Sequence, residues 1–536
     1  MSQDPRYDVA IRGGAVYDGG GGEPLVGDVA LHGDSVAAVG PRVEGSARIE
    51  VDARGLAVAP GFINMLSWAN ESLIADGRSQ SDIRQGVTLE IFGEGSSLGP
   101  LNAEMKRLRR ERQDDIQYDI DWTTLDEGLE SLVRRGIACN VASFVGATSL
   151  RVHEIGFADR PPTPGELDRM RGLMREAMQD GALGVGSSLI YAPACFAGTD
   201  ELVALAEIAG EYGGMYISHI RNEGQRLIEA IDELVEIEAR SGAPAEIWHI
   251  KASGPSNWQK LDAAIERIEL ARARGLRTTA DMYTYHASST GLDATMPGWV
   301  QEGGHSAWVE RLKDPTVRSR LRGELSTAGD HAENEFLSAE KILLVGFRND
   351  ALKPLTGKSL AEVASMRGTS VEDTIMDLVV EDDSRVQSVF FTMSEENVRK
   401  AVGLPWVSFC SDSGSLAPEG VFLRSGTHPR AYGSFARLLG KYVREERVVS
   451  LSEAIRRLSA FPAETLGLER RGRLSPGNYA DVVVFDPETI RDNATFDLPH
   501  QYATGMRHVF VNGVRVLEDG EHTNARPGRV VRRGGR

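Results

Sequence analysis

Apolar positions in the middle of the chain follow two different periods. Short runs dense in apolar and β-branched residues fall at 56–66, 87–92, 140–145, 183–187, 215–218, 246–248, 278–282 and 406–410. Between most of them, apolar residues recur three or four positions apart, over 71–85, 164–180, 200–212, 223–241 and 261–274. In 223–241, for example, Leu227, Ile228, Ile231, Leu234, Val235 and Ile237 mark one helical face. Strands that alternate with helices and form no hairpins predict a (β/α)8 barrel of α/β class. The rhythm breaks once, over 291–343, where an irregular charged stretch reads as an inserted lid or subdomain. Toward both ends the pattern becomes short runs separated by Gly-Gly, Gly-Asp, Pro-Gly-Asn and Asn-Gly turns. That pattern predicts a small β-sandwich built from residues 1–58 and 467–536, flanking a catalytic barrel over 59–466. The basic, glycine-rich residues 526–536 read as a frayed tail.

Composition narrows the class. The 536 residues are 41% hydrophobic and 26% charged, enough for a large core in a soluble protein. A formal net charge of −18 disfavours nucleic acid and anionic membrane as partners, since both reward basic faces. Three widely spaced cysteines, Cys139, Cys195 and Cys410, build neither a disulfide framework nor a Cys-x-x-Cys metal site. The first residues lack an apolar signal core and no run is long enough to span a bilayer, so a cytoplasmic location is expected.

Two histidines stand out by position. His219 and His249 each close a predicted strand, on either side of one helix. In parallel α/β folds, functional groups gather at the carboxyl ends of strands. Two imidazoles at neighbouring strand ends can share a metal ion; the ordinary alternative is one capping a helix and one buried and hydrogen-bonded. Asp412 likewise follows a buried strand, where it is either catalytic or a turn cap. Lys251 can neutralise a substrate carboxylate or pair with an acid of the protein.

Read in order, a set of motifs resembles the N-acyl-D-amino-acid deacylases (D-aminoacylases) of the amidohydrolase superfamily. They are Ala59-Pro-Gly-Phe-Ile-Asn, Gln85-Gly-Val-Thr, Asn140-Val-Ala-Ser-Phe-Val-Gly, Gly181-Ala-Leu-Gly, Leu189-Ile-Tyr, His219-Ile-Arg-Asn-Glu and His249-Ile-Lys-Ala-Ser-Gly. Asp281-Met-Tyr-Thr-Tyr, Met393-Ser-Glu-Glu-Asn-Val, Ser411-Asp412, His428-Pro-Arg-Ala-Tyr-Gly and Ala525-Arg-Pro-Gly-Arg complete it. The resemblance implies a metal-bearing barrel acting on a small-molecule substrate. It places two metal-binding histidines on His219 and His249 and the catalytic aspartate on Asp412. Lys251, Tyr283 and Ser289 match residues that grip the substrate carboxylate, and Tyr191 is expected to donate to the scissile carbonyl.

The chain departs from that family at three points. The His-x-His that normally ends strand one is replaced by Leu66-Ser67-Trp68, and no His-x-His occurs anywhere. The strand-two turn reads Gly93-Glu94-Gly95-Ser96 in place of a cysteine-bearing turn, and Ala147 stands where the family has a histidine. One divalent ion, zinc, is therefore expected, held by His219, His249 and Glu94, with Glu90 as the rival third ligand. A carboxylate in place of a thiolate also favours harder ions such as manganese or cobalt. Three functions stay open: hydrolysis of an N-acyl bond in a carboxylate-bearing substrate, hydrolysis of another amide, a lactam or an ester, and ligand binding without catalysis.

Overall fold

The computed structural model describes residues 6–326 and 338–533. Eight parallel strands form the barrel: Phe62–Asn64, Val87–Phe92, Asn140–Ser143 continued by Val145–Gly146, Gly184–Ser188, Met215–His219, Ala245–Ile247, Thr279–Met282 and Val407–Phe409. Each pairs in parallel with the next. The ring closes between the last strand and the first through Met65 N to Phe409 O (3.2 Å) and Asp412 N to Leu66 O (2.9 Å). The lumen is packed: Trp248, fully buried, meets the edge of Phe144 with centroids 5.8 Å apart.

The expected strand over 56–66 is two strands. Ala57–Pro60 belongs to the terminal sheet, and Phe62–Asn64 belongs to the barrel. Pro60 carries no N–H, so a ladder cannot run through it unbroken. At Gly61, a Cβ would lie 2.1 Å from Thr88 Oγ1, so only glycine lets the chain pass between the two sheets. The helix expected over 71–85 also divides, into Ala69–Ala75 and Gln80–Ile83. The helix expected over 223–241 begins later, at Leu227. Before it, the Asn222 side chain accepts the Gly224 and Arg226 N–H groups (2.9 Å each), and the resulting turn carries Glu223 to the barrel mouth.

Strands from both termini form one continuous nine-stranded sheet, in which Val482–Phe485 pairs with Ala57–Pro60. It has its own apolar cluster, including Val9, Ile11, Val29, Val58, Val482, Val484 and Phe510. The tail is not frayed as far as residue 533. Val141 and Val530 form a parallel bridge, Val531 N donates to Val141 O (2.8 Å), and Arg532 pairs with Asp126 and Glu130. Asp126 and Glu130 lie on the one helix Leu125–Arg135, and Arg529 pairs with Asp34 beside the terminal sheet, so the basic composition serves ion pairs. Between the seventh and eighth strands, the insertion extends well beyond the expected 291–343. Ser288–Gly291 and Ile342–Gly346 both pair antiparallel with Gln387–Phe390. A separate apolar cluster that includes Leu292, Trp308, Leu344, Leu378 and Phe390 supports this unit. Part of the expected insertion, 327–337, lies outside the described residues.

Candidate active site

The eight residues singled out in the sequence, Glu94, Tyr191, His219, His249, Lys251, Tyr283, Ser289 and Asp412, all line one cavity of about 780 Å³ at the carboxyl ends of the barrel strands. Glu94, His219 and His249 are buried, with one potential ligand atom of each within 4.8 Å of the others. Glu94 Oε1 lies 2.9 Å from His219 Nδ1 and 3.2 Å from His249 Nε2. Ligands about 2.1 Å from a tetrahedral ion stand about 3.4 Å apart, so this set of two nitrogens and a carboxylate oxygen closely approaches what a divalent ion requires. On the far side of His249, Nδ1 faces both Glu223 Oε1 (3.1 Å) and Lys251 Nζ (2.7 Å), which leaves Nε2 facing Glu94. Burial opposes ionisation of Glu94, but the hydrogen bonds from both imidazoles outweigh it and hold the carboxyl well below its usual range. His249 also has φ of 40°, an uncommon conformation for a side chain of its size, and its N–H is fixed on Asp281 Oδ1 at 2.7 Å.

Glu90, the rival ligand, faces elsewhere. It is fully buried among Ser67, Ser79 and Cys139, each of which hydrogen-bonds to it, and it does not line the cavity. Glu90 and Glu94 share strand parity, so the turn decides between them: Glu90 lies within the strand, whereas Glu94 lies past its end, after a Gly93 with φ of 110° that turns the chain inward.

The candidate substrate residues sit in more specific company than their motifs showed. Lys251 Nζ is buried, 2.5 Å from Glu223 Oε1 and 2.7 Å from His249 Nδ1. Its charge holds Glu223 ionised despite burial. Tyr283 lays its ring beneath the Arg430 guanidinium (4.6 Å to the centroid) and points its hydroxyl toward Met393 Sδ. Ser289 donates its hydroxyl to Ser388 O (3.0 Å), while its carbonyl accepts Arg430 Nη2 (3.2 Å). The Tyr191 hydroxyl shares a 2.7 Å hydrogen bond with Thr290 Oγ1, and Arg385 stacks on its ring. Asp412, with φ of 48°, accepts Trp68 Nε1–H on Oδ1 (3.1 Å) and has Arg430 Nη1 2.7 Å from Oδ2.

Sequence reasoning passed over Arg430 and Glu223. Both lie inside quoted motifs, so the signal was present, but nothing local marks which motif residue faces the cavity. Arg430 is 4% exposed. Its Nε and Nη1 make no well-aligned hydrogen bond among the described residues, because the short contact to Asp412 is off the N–H axis. A buried guanidinium with unspent donors in a cavity wall is chemically suited to a carboxylate. His428 fixes the start of that segment: Nδ1 accepts Arg430 N–H (2.9 Å) and Nε2 donates to Ala287 O (2.9 Å).

The chain is similar to known proteins along nearly its whole length. Residues 140–517 match the model of the amidohydrolase family. An N-acyl-D-glutamate deacylase of Alcaligenes xylosoxydans xylosoxydans is 31% identical over 98% of this chain and 97% of its own length. A D-aminoacylase crystal structure superposes with a TM-score of 0.81 at 30% identity, over 98% of this chain and all of that one. The N-acyl-D-glutamate deacylase of Bordetella bronchiseptica, complexed with zinc and a phosphonate mimic of the tetrahedral intermediate, has a TM-score of 0.80 at 28% identity, over 98% and 99% of the two chains. The chain belongs to the amidohydrolase family and is a homologue of its N-acyl-D-amino-acid deacylases.

Proposed function

We propose that this protein hydrolyses the N-acyl bond of a D-amino acid bearing a free carboxylate, using one divalent ion, zinc, held by Glu94, His219 and His249. The observation that carries this reading is the buried three-ligand set, placed in the same cavity as Asp412 and Arg430. An ion held there supplies positive charge that polarises a carbonyl and acidifies water. The site where relatives of this superfamily place further histidines is occupied by Leu66, which is fully buried, and Trp68, whose indole faces Asp412, so a single ion is the expected content.

Arg430 is the main carboxylate anchor. Tyr283 supports its flat face, the Ser289 carbonyl fixes one edge, Nε keeps a donor for the substrate, and Nη1 is shared with Asp412 Oδ2. Lys251, bound to Glu223, adds positive charge beside His249 and helps fix the ligand set. Asp412 takes a proton from water as the water oxygen bonds to the carbonyl carbon. It passes that proton to the amide nitrogen as the C–N bond breaks, leaving an acid and an amine. Tyr191 is the donor assigned to the carbonyl oxygen. The insertion forms the substrate-side wall through Thr290 and Arg385.

The test is an assay of zinc-loaded protein against N-acyl-D-amino acids, their L enantiomers and their α-amides, with metal content measured on the same sample. Turnover confined to D-acids at about one ion per chain is expected. No hydrolysis of any N-acyl amino acid by fully loaded protein removes the reading.

A further inference from the structure

Trp68 is 40% exposed and lines the cavity. Core packing at this strand end is done by Met65 and Leu66, both fully buried. The indole makes a directed contact: Nε1–H donates to Asp412 Oδ1 at 3.1 Å. The two backbones are also laced together, by Asp412 N to Leu66 O (2.9 Å), Trp68 N to Ser413 O (3.0 Å) and a parallel bridge between Ser67 and Ser413. The donor is thus held in place before any ligand arrives, and Asp412 is held at a φ of 48°.

The other carboxylate oxygen has a different partner. Oδ2 stands 2.7 Å from Arg430 Nη1, in a contact too poorly aligned to count as a hydrogen bond. A substrate carboxylate arriving at Arg430 competes with Oδ2 for the guanidinium, and the Trp68 bond to Oδ1 survives that exchange. We infer that Trp68 is a positioning residue for Asp412: its indole N–H pins Oδ1 so that Oδ2, released from Arg430 by the substrate carboxylate, is the oxygen that carries the proton. This rests on the proposed role of Asp412.

Trp68→Phe keeps the aromatic shape and removes only the donor. A hydrogen bond to a charged group is worth about ten- to a hundredfold in an equilibrium or rate. We expect kcat to fall by that factor, with KM within about twofold and metal content unchanged. In an Asp412→Asn background the same change should cost almost nothing, because a residue acting through Asp412 has nothing left to orient. The Trp68 indole N–H resonance, identified by its loss in Trp68→Phe, should also move in Asp412→Asn. Wild-type turnover in Trp68→Phe, an equal loss in both backgrounds, or an indole resonance indifferent to Asp412→Asn overturns the inference. If the native protein hydrolyses no N-acyl amino acid, the functional proposal fails instead, and the resonance still tests the contact.

Discussion

Replacing Glu94 with glutamine keeps the side chain's shape and takes one negative charge out of the centre of the ligand set. Oε1 now stands 2.9 Å from one imidazole nitrogen and 3.2 Å from another. In Glu94→Gln that place is filled by a neutral carbonyl oxygen, a weaker ligand, or by an amide NH2, which turns its protons on a cation. Losing a residue that only orients a metal ligand weakens binding about ten- to a hundredfold. Losing a charged ligand should exceed that range, so at least a loss of about a hundredfold, or about 2.7 kcal/mol, is expected. Thermal unfolding reads the difference directly. At free zinc about a hundredfold above the native protein's Kd, the native fold gains about 2.7 kcal/mol, whereas a variant whose Kd has risen to that concentration gains about 0.4 kcal/mol. Glu90→Gln is the control: with Glu90 bonded to Ser67, Ser79 and Cys139 and not lining the cavity, metal content should not change. A Glu94→Gln protein that retains one ion per chain and the full zinc-induced rise in unfolding temperature refutes the ligand assignment.

Asp412→Asn should fold and bind metal while losing about 10²- to 10⁴-fold in kcat; near-normal turnover excludes it as the proton carrier. Lys251→Met leaves Glu223 buried without its cation and should cost about 3–5 kcal/mol by denaturant titration, and adding Glu223→Gln should restore much of the loss. Strict additivity of those two changes excludes the coupling. Burial and the nearby Arg430 charge keep His428 neutral, with its pKa well below the ordinary histidine value. The unfolded chain therefore binds that proton first as pH falls. Stability from His428 is complete above about pH 6.5 and declines below it, so His428→Gln should show a flatter loss between pH 7 and 5 than the native protein. Parallel pH profiles for the two would contradict the buried, neutral assignment.

The alternation of short apolar runs with helical periods was enough to order the barrel strands, because each element is encoded by residues a few positions apart. His219 and His249 were legible for the same reason: each closes its own strand, and parallel pairing of neighbours brings strand ends together. The missing His-x-His was equally plain. What faces what was not. Glu90 and Glu94 differ by four positions in one turn-ended strand, and only the inward bend at Gly93 separates a buried polar cluster from the cavity. Lys251 was legible as a cation for a substrate or as the partner of an acid, but which acid was not until the Asn222 turn carried Glu223 beside it. Arg430 reaches Asp412 from a segment after the last strand, with Tyr283 and Ser289 shaping its surroundings from the strand-seven side. The tail read as frayed because its basic, glycine-rich composition offers no core. It is nonetheless held by Val141 and by acids on a barrel helix. Local periodicity determines the elements, whereas the pairing of buried charges depends on barrel closure between residues hundreds of positions apart, and burial then makes the presence or absence of each partner decisive.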